Sequence, residues 1–166
     1  AGVGETGIDL YWDKTHLDIQ KKSFARQIEW AKDLNLPIII HSRESNEECL
    51  ELVKNGQDGR LRGIFHCFSG TPEQARRMTG LGFILGIGGT LTYPKSDVPE
   101  VLRDVPLEYI VLETDAPYLP PVPHRGKRNE SAYVALVAEK LSEIKGLPPD
   151  EIARVTTANA LRMFGE

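Results

Sequence analysis

Apolar positions along the chain follow two rhythms, and the switches between them mark the elements. Phe24, Ile28, Ala31 and Leu34 recur on one helix face, with Asn35 as a stop signal. Pro37 comes next, and Ile38-Ile39-Ile40 reads as a buried strand ending at His41. A continuous apolar run of that length suits a parallel sheet covered on both faces. Ser45 followed by Glu48 has the pattern of a capping box and predicts a helix that stops near Gly56. Residues 61–65 then form a strand ending at His66. Thr71, Pro72 and Gln74 repeat the capping pattern, with proline at the first helical position, and Gly80 and Gly82 close that helix. Residues 83–87 make a fourth strand, 99–105 a weaker helix, and 109–112 a fifth strand running into Glu113-Thr114-Asp115. At the front, residues 3–5 read as the tail of a further strand. Prolines and a glycine make 117–129 a long ordered loop. Tyr133, Val137, Leu141 and Ile144 mark a helix stopped at Gly146, and Pro149 opens a last helical region reaching about Phe164.

Strand and helix therefore alternate, which predicts an α/β fold with parallel strands and outer helices. Composition agrees: of 166 residues, 40% are hydrophobic and 27% charged, as in a globular protein with a real core. No apolar run approaches a membrane span, and no membrane partner is expected. Cys49 and Cys67 form neither a disulfide framework nor a zinc-ribbon pair. With no leader visible at the front, a reducing, cytoplasmic setting is the expectation. A net charge of −4 excludes a whole-protein basic field for nucleic acid, so such a contact needs a local cluster. Arg125, Lys127 and Arg128 supply one.

Chemistry gathers at strand ends. Glu5, His41, His66 and Asp115 each sit at the C-terminal end of a predicted strand, and parallel strands point those ends at one rim, where α/β active sites are built. Two imidazoles and two carboxylates suit Zn²⁺, Mn²⁺ or iron, which can activate a bound water. A structural polar network is the competing explanation. The cations of the 125–128 loop could clamp a phosphate or form a solvated charge run. His16 reads as a surface histidine, Cys67 and Cys49 as packed thiols, and Trp30, Met163 and Phe164 as packing residues. Gly86, Gly88 and Gly89 suggest close backbone approach rather than a dinucleotide loop.

On these residues the sequence resembles the TatD family of metal-dependent deoxyribonucleases, amidohydrolase-like TIM barrels. The resemblance rests on Gly4-Glu5-Thr6-Gly7-Ile8-Asp9, Ile40-His41-Ser42-Arg43, Phe65-His66-Cys67-Phe68-Ser69-Gly70 and Glu113-Thr114-Asp115-Ala116-Pro117-Tyr118-Leu119. Arg125-Gly126-Lys127-Arg128-Asn129-Glu130 and Asn159-Ala160-Leu161-Arg162-Met163-Phe164 also fit. It covers essentially the whole chain. It implies that Glu5 is shared between two divalent metal ions (Mg, Mn or Zn), that His41 and His66 are ligands, and that Asp115 is a ligand and the proton acceptor from the attacking water. Arg43, Arg125, Lys127, Arg128 and Asn129 would face substrate phosphates. The implied substrate is DNA, single-stranded or at 3′ ends, and the implied reaction is phosphodiester hydrolysis in the 3′ to 5′ direction.

The family's opening His-x-His ligand pair does not occur in this chain. A (β/α)₈ barrel takes roughly 250 residues, or about 31 per unit. The expectation is thus a partial barrel: about the last five βα units, with residues 1–166 as the C-terminal part of a single domain. Action on another ester or amide, or an impaired fragment with partial metal or substrate binding, are the alternatives. Oligomeric state is not legible.

Overall fold

A computed structural model describes residues 1–165 of the chain. Five parallel strands form one sheet in sequential order: β1 (Val3–Asp9), β2 (Ile38–Arg43), β3 (Gly63–Phe65), β4 (Ile84–Ile87) and β5 (Ile110–Leu112). Between them run α1 (Leu17–Asp33), α2 (Asn46–Gly56), α3 (Pro72–Gly80) and α4 (Val98–Asp104). After β5 come α5 (Val134–Lys145) and α6 (Pro149–Phe164). No helix among the described residues is long and apolar enough to cross a membrane.

Strand periodicity divides the interior in two. Ile38, Ile40, Phe65, Leu85 and Ile110 join the helices in the main core, where Phe24, Ile28, Leu50, Val53 and Met78 are buried. The alternate positions Ile64, Ile84 and Val111 form a second cluster on the other face, with Ile39 beside it and Met163 of α6 packed in. One step further along this second face the strands carry His41, His66, Gly86 and Glu113, each two residues beyond one of these apolar positions. The same alternation that packs the second cluster thus delivers the polar residues to one rim.

Three expectations are corrected. First, β1 extends to Asp9, so Glu5 lies inside a strand rather than at its end. Val3 pairs with Ile38 but Thr6 with Ile40, an extra residue on β1 around Gly4 and Glu5. Such a bulge re-aims the side chains at its position. Second, Ser45 precedes α2 but makes no capping bond to it. Its buried hydroxyl donates instead to the Ile8 carbonyl at 2.5 Å and accepts from the Arg43 amide at 3.1 Å, tying the start of α2 to β1. Third, Leu34 and Trp30 are exposed. Helix α1 ends at Asp33, so Leu34 falls outside the buried stripe, and Trp30 lies on the solvent side with Arg26 over its ring at 5.8 Å. The capping box at Thr71 is present, with Gln74 and Thr71 bonding each other's backbone amides.

Lys145 offers a test of packing. Its ammonium donates to the carbonyls of Leu102, Arg103 and Val105, groups at the end of α4 that lack helical partners. Lys145→Met keeps the stem and removes the donor. A loss of about 1–3 kcal/mol in urea unfolding is expected; an unchanged midpoint would show that water replaces the ammonium at no cost.

Candidate metal centre

The rim residues surround a cleft of about 460 Å³. Glu5 and His41, on two strands, and His66 and Asp115, in the segments just after two others, all line it, as do Arg43 and Tyr118. His41 pairs in register with Gly7, which stands between Glu5 and Asp9 on β1. This explains why both carboxylates reach the same ring: Nδ1 lies 2.8 Å from Glu5 Oε1, and Nε2 lies 3.0 Å from Asp9 Oδ2. A neutral imidazole can donate to only one of them; the second contact calls for a proton or a cation.

His66 is oriented from behind. Glu113 Oε1 lies 2.9 Å from Nδ1 and also accepts from the Cys67 amide at 2.9 Å. Gly86 makes room for that carboxylate, since a Cβ there would lie 2.3 Å from Glu113 Oε2. With Nδ1 engaged, His66 Nε2 faces Glu5 Oε1 at 3.9 Å and Asp115 Oδ1 at 3.6 Å. A ring-nitrogen lone pair and two carboxylate oxygens then face one another, an arrangement that a cation resolves.

Electrostatics tell the same story. The Glu113 hydrogen bond raises the His66 pKa against the opposing effect of burial, and Glu5 and Asp115 add to the rise. Burial raises Asp115; His66 partly offsets this, while Glu113 and Glu5 push the same way as burial. Burial alone would raise Asp9, yet the Tyr11 amide with His41 and Arg43 holds it below the ordinary carboxylate range. Desolvation pushes Cys67 up to about 12, so its thiol is no nucleophile at neutral pH.

The donor set fits a divalent cation. A histidine held by a carboxylate at one ring nitrogen is the usual state of a metal ligand, and the mix of nitrogen and carboxylate oxygen suits first-row ions. As placed, no group of three or more His, Cys, Asp or Glu side chains among the described residues stands close enough together to hold a metal ion. The 3.6 and 3.9 Å separations exceed by a few tenths of an ångström the roughly 3.0–3.5 Å ligand spacing that bonds of about 2.1 Å imply. Small side-chain adjustments would close that gap.

Two members of this cluster, Glu113 and Asp9, were not assigned from sequence. Their signal was periodicity: Glu113 is two residues from Asp115, and Asp9 ends the strand that carries Glu5. The substrate-facing set divides. Arg43 lines the cleft, its guanidinium 3.7 Å from the centre of the Tyr11 ring. Arg125 borders a neighbouring pocket, and Lys127 and Arg128 are exposed on the loop, outside both pockets. Asn129 does not face the cleft. Only 2% exposed, it donates through Nδ2 to the carbonyls of Thr114 and Tyr118 and accepts from the Glu130 amide. It is a buried clasp that folds the loop back onto the segment carrying Asp115. Asn129→Ala is expected to cost about 2–3 kcal/mol in denaturant unfolding and to hasten proteolysis within 115–130. Loss of substrate binding with neither effect would show a direct contact instead.

A parallel sheet with imidazoles and carboxylates converging near the carboxyl ends of its strands is the α/β arrangement on which polar functional sites are built. The chain belongs to the TatD family: the family model described as TatD related DNase matches residues 1–165. It is 45% identical over 165 residues to an uncharacterised metal-dependent hydrolase, YabD, of Bacillus subtilis, covering 99% of this chain and 65% of that protein. It is 37% identical to the uncharacterised metal-dependent hydrolase YcfH of Escherichia coli K12, covering 99% of this chain and 62% of that protein. The crystal structure of YjjV, a TatD homologue from E. coli K12, superposes with a TM-score of 0.94 at 36% identity, covering 99% of this chain and 64% of that one. The chain thus spans a little under two thirds of the proteins it matches.

Proposed function

We propose that this chain is the C-terminal part of a TatD-type hydrolase that cleaves phosphodiester bonds in DNA, trimming single strands from the 3′ end. The observation that carries the reading is the meeting of His66 Nε2, Glu5 and Asp115, with Glu113 fixing the histidine from behind. Glu5, His41, His66 and Asp115 would hold the divalent metal, with Glu5 available to a second ion. A bound divalent ion supplies Lewis acidity, favouring hydroxide over water and neutralising charge on the phosphate.

The chain's own residues do the rest. Asp115, which lines the cleft beside His66, takes the proton from the attacking water. Glu113 keeps His66 in one tautomer through the cycle. Arg43, steadied over Tyr11, pairs with a non-bridging phosphate oxygen. The five parallel strands would be consecutive members of a (β/α)₈ wall, a reading supported by their sequential order and by the apolar second face that such a barrel would enclose. A cytoplasmic setting belongs to the same proposal.

The test is a 5′-labelled single strand incubated with the full-length protein and Mn²⁺. Products shortening from the 3′ end are expected, with activity lost on chelation and restored by the metal. Chelator-insensitive cleavage, or hydrolysis of model esters or amides without any of DNA, would overturn the reading.

A further inference from the structure

A second pocket of about 330 Å³ adjoins the cleft and shares one wall with it, Thr90. Its other sides are Tyr93, Pro94, Lys95, Ser96 and Arg125. Two cations and two aliphatic hydroxyls line it, and no carboxylate does. That is unusual for a chain of net charge −4, whose acidic residues outnumber its basic ones. Neither Lys95 nor Arg125 is among the cations paired with a carboxylate in the described residues.

The pocket is also built rather than incidental. The Arg125 guanidinium lies 4.3 Å from the centre of the Tyr93 ring, a cation–π contact that holds a long side chain in place. The Tyr93 hydroxyl donates to the Pro120 carbonyl at 3.1 Å. This fixes the ring against the loop that carries Arg125. Thr92 Oγ1 accepts from the Val122 amide at 2.8 Å, a second tie between the same two segments. Gly89 permits the approach, since a Cβ there would lie 2.2 Å from the Leu119 carbonyl. Arg125 is therefore positioned before any ligand arrives, which lowers the entropic cost of binding.

We propose that the pocket of Tyr93, Lys95, Ser96 and Arg125 binds a backbone phosphate of the DNA strand next to the one being cleaved. The inference rests on the proposed function for its substrate. Planar Arg125 suits two oxygens of one phosphate, Lys95 adds a mobile point charge, and Ser96 can donate a further hydrogen bond. The shared Thr90 wall makes this phosphate a neighbour of the scissile one. The pocket would thus set the register of the strand rather than take part in bond breaking.

The test is anisotropy of a labelled single strand with the full-length protein in chelator, where no cleavage occurs. Lys95→Ala and Arg125→Ala are each expected to weaken binding about tenfold and to lower the slope of log affinity against log salt by about one. Lys54→Ala, an equal charge loss on the exposed side of α2, serves as the control and should shift binding less than twofold. Strands with a single neutral methylphosphonate linkage, moved one position at a time, locate the contact: at one internal position the penalty of both variants should vanish. A 5′-phosphate added or removed should change nothing; if it alone decides the penalty, the pocket reads a terminal phosphate and the proposal is wrong. Wild-type affinity in both variants, or an equal loss in Lys54→Ala, would also overturn it. Absence of metal-dependent DNA cleavage by the wild type would mark failure of the functional reading itself; cleavage with unaffected variants would mark failure of the pocket alone.

Discussion

Asp115→Asn in the full-length protein is expected to lower kcat about 10³-fold, roughly 4 kcal/mol of barrier, with unfolding little changed. The amide keeps the shape and one oxygen, but it cannot accept the proton and is a poorer metal ligand. Asp115 stands at a positive φ of 55°, just past β5, a backbone position that aspartate and asparagine tolerate better than most residues. Asparagine is thus the substitution that separates chemistry from strain. Glu113→Gln makes the useful contrast. It leaves the ligands in place but weakens the hold on His66, so a loss of 10- to 100-fold in metal affinity is expected, recoverable with added metal. Full activity in Asp115→Asn would end the assignment of the proton acceptor.

The helices and strands were legible because the hydrophobic periods were unbroken where the core is built. Ile38-Ile39-Ile40 is buried on one face by helices and on the other by the second apolar cluster, so a run without alternation was the right signature of a strand. What misled was local chemistry with more than one outlet. Ser45 matched a capping pattern, but its hydroxyl oxygen accepts from the Arg43 amide and its proton goes to the Ile8 carbonyl, away from the α2 amides. Glu5 was read as a strand end, but the bulge around Gly4 and Glu5 lets the strand continue to Asp9. Asn129 sat among cations and so read as a phosphate contact, while its burial and its bonds to Thr114 and Tyr118 are visible only in three dimensions. That His41, His66, Glu5 and Asp115 would meet at one rim was legible from strand position, and all four line the same cleft. The supporting carboxylates Glu113 and Asp9 were not singled out, because periodicity places a carboxylate on a face without saying which ring it will meet.

Gly7→Ala is the most damaging single methyl group to place in this sheet. A Cβ there would sit 1.9 Å from the His41 carbonyl oxygen, and φ is +151°, a conformation L side chains rarely adopt. Neither partner is a flexible side-chain end, so relief requires β1 and β2 to separate. A cost of about 3–4 kcal/mol is expected in urea unfolding, enough to threaten a domain of ordinary stability. The damage should reach the site as well, since His41 is the register partner of Gly7. Gly59→Ala supplies the comparison: φ is +92° there, but nothing lies within 4 Å of the new Cβ. Its cost should stay near 1–2 kcal/mol, the conformational part alone. Equal losses in the two variants would show that backbone strain, not strand contact, dominates at Gly7.

The strand order β1-β2-β3-β4-β5 bears on how the chain reaches its fold. Each strand pairs with the one made just before it, so no pairing waits for a distant segment to be synthesised. A parallel sheet ordinarily folds slowly because its partners are far apart in sequence. Here every closure spans only one intervening helix, and each finished unit offers the next an edge to dock on. The residues proposed to hold the cation are distributed along that progression, Glu5 on the first strand and Asp115 just past the last. Affinity for the ion should therefore emerge stepwise as successive strands dock, and reach its full value only when the segment after β5 is in place.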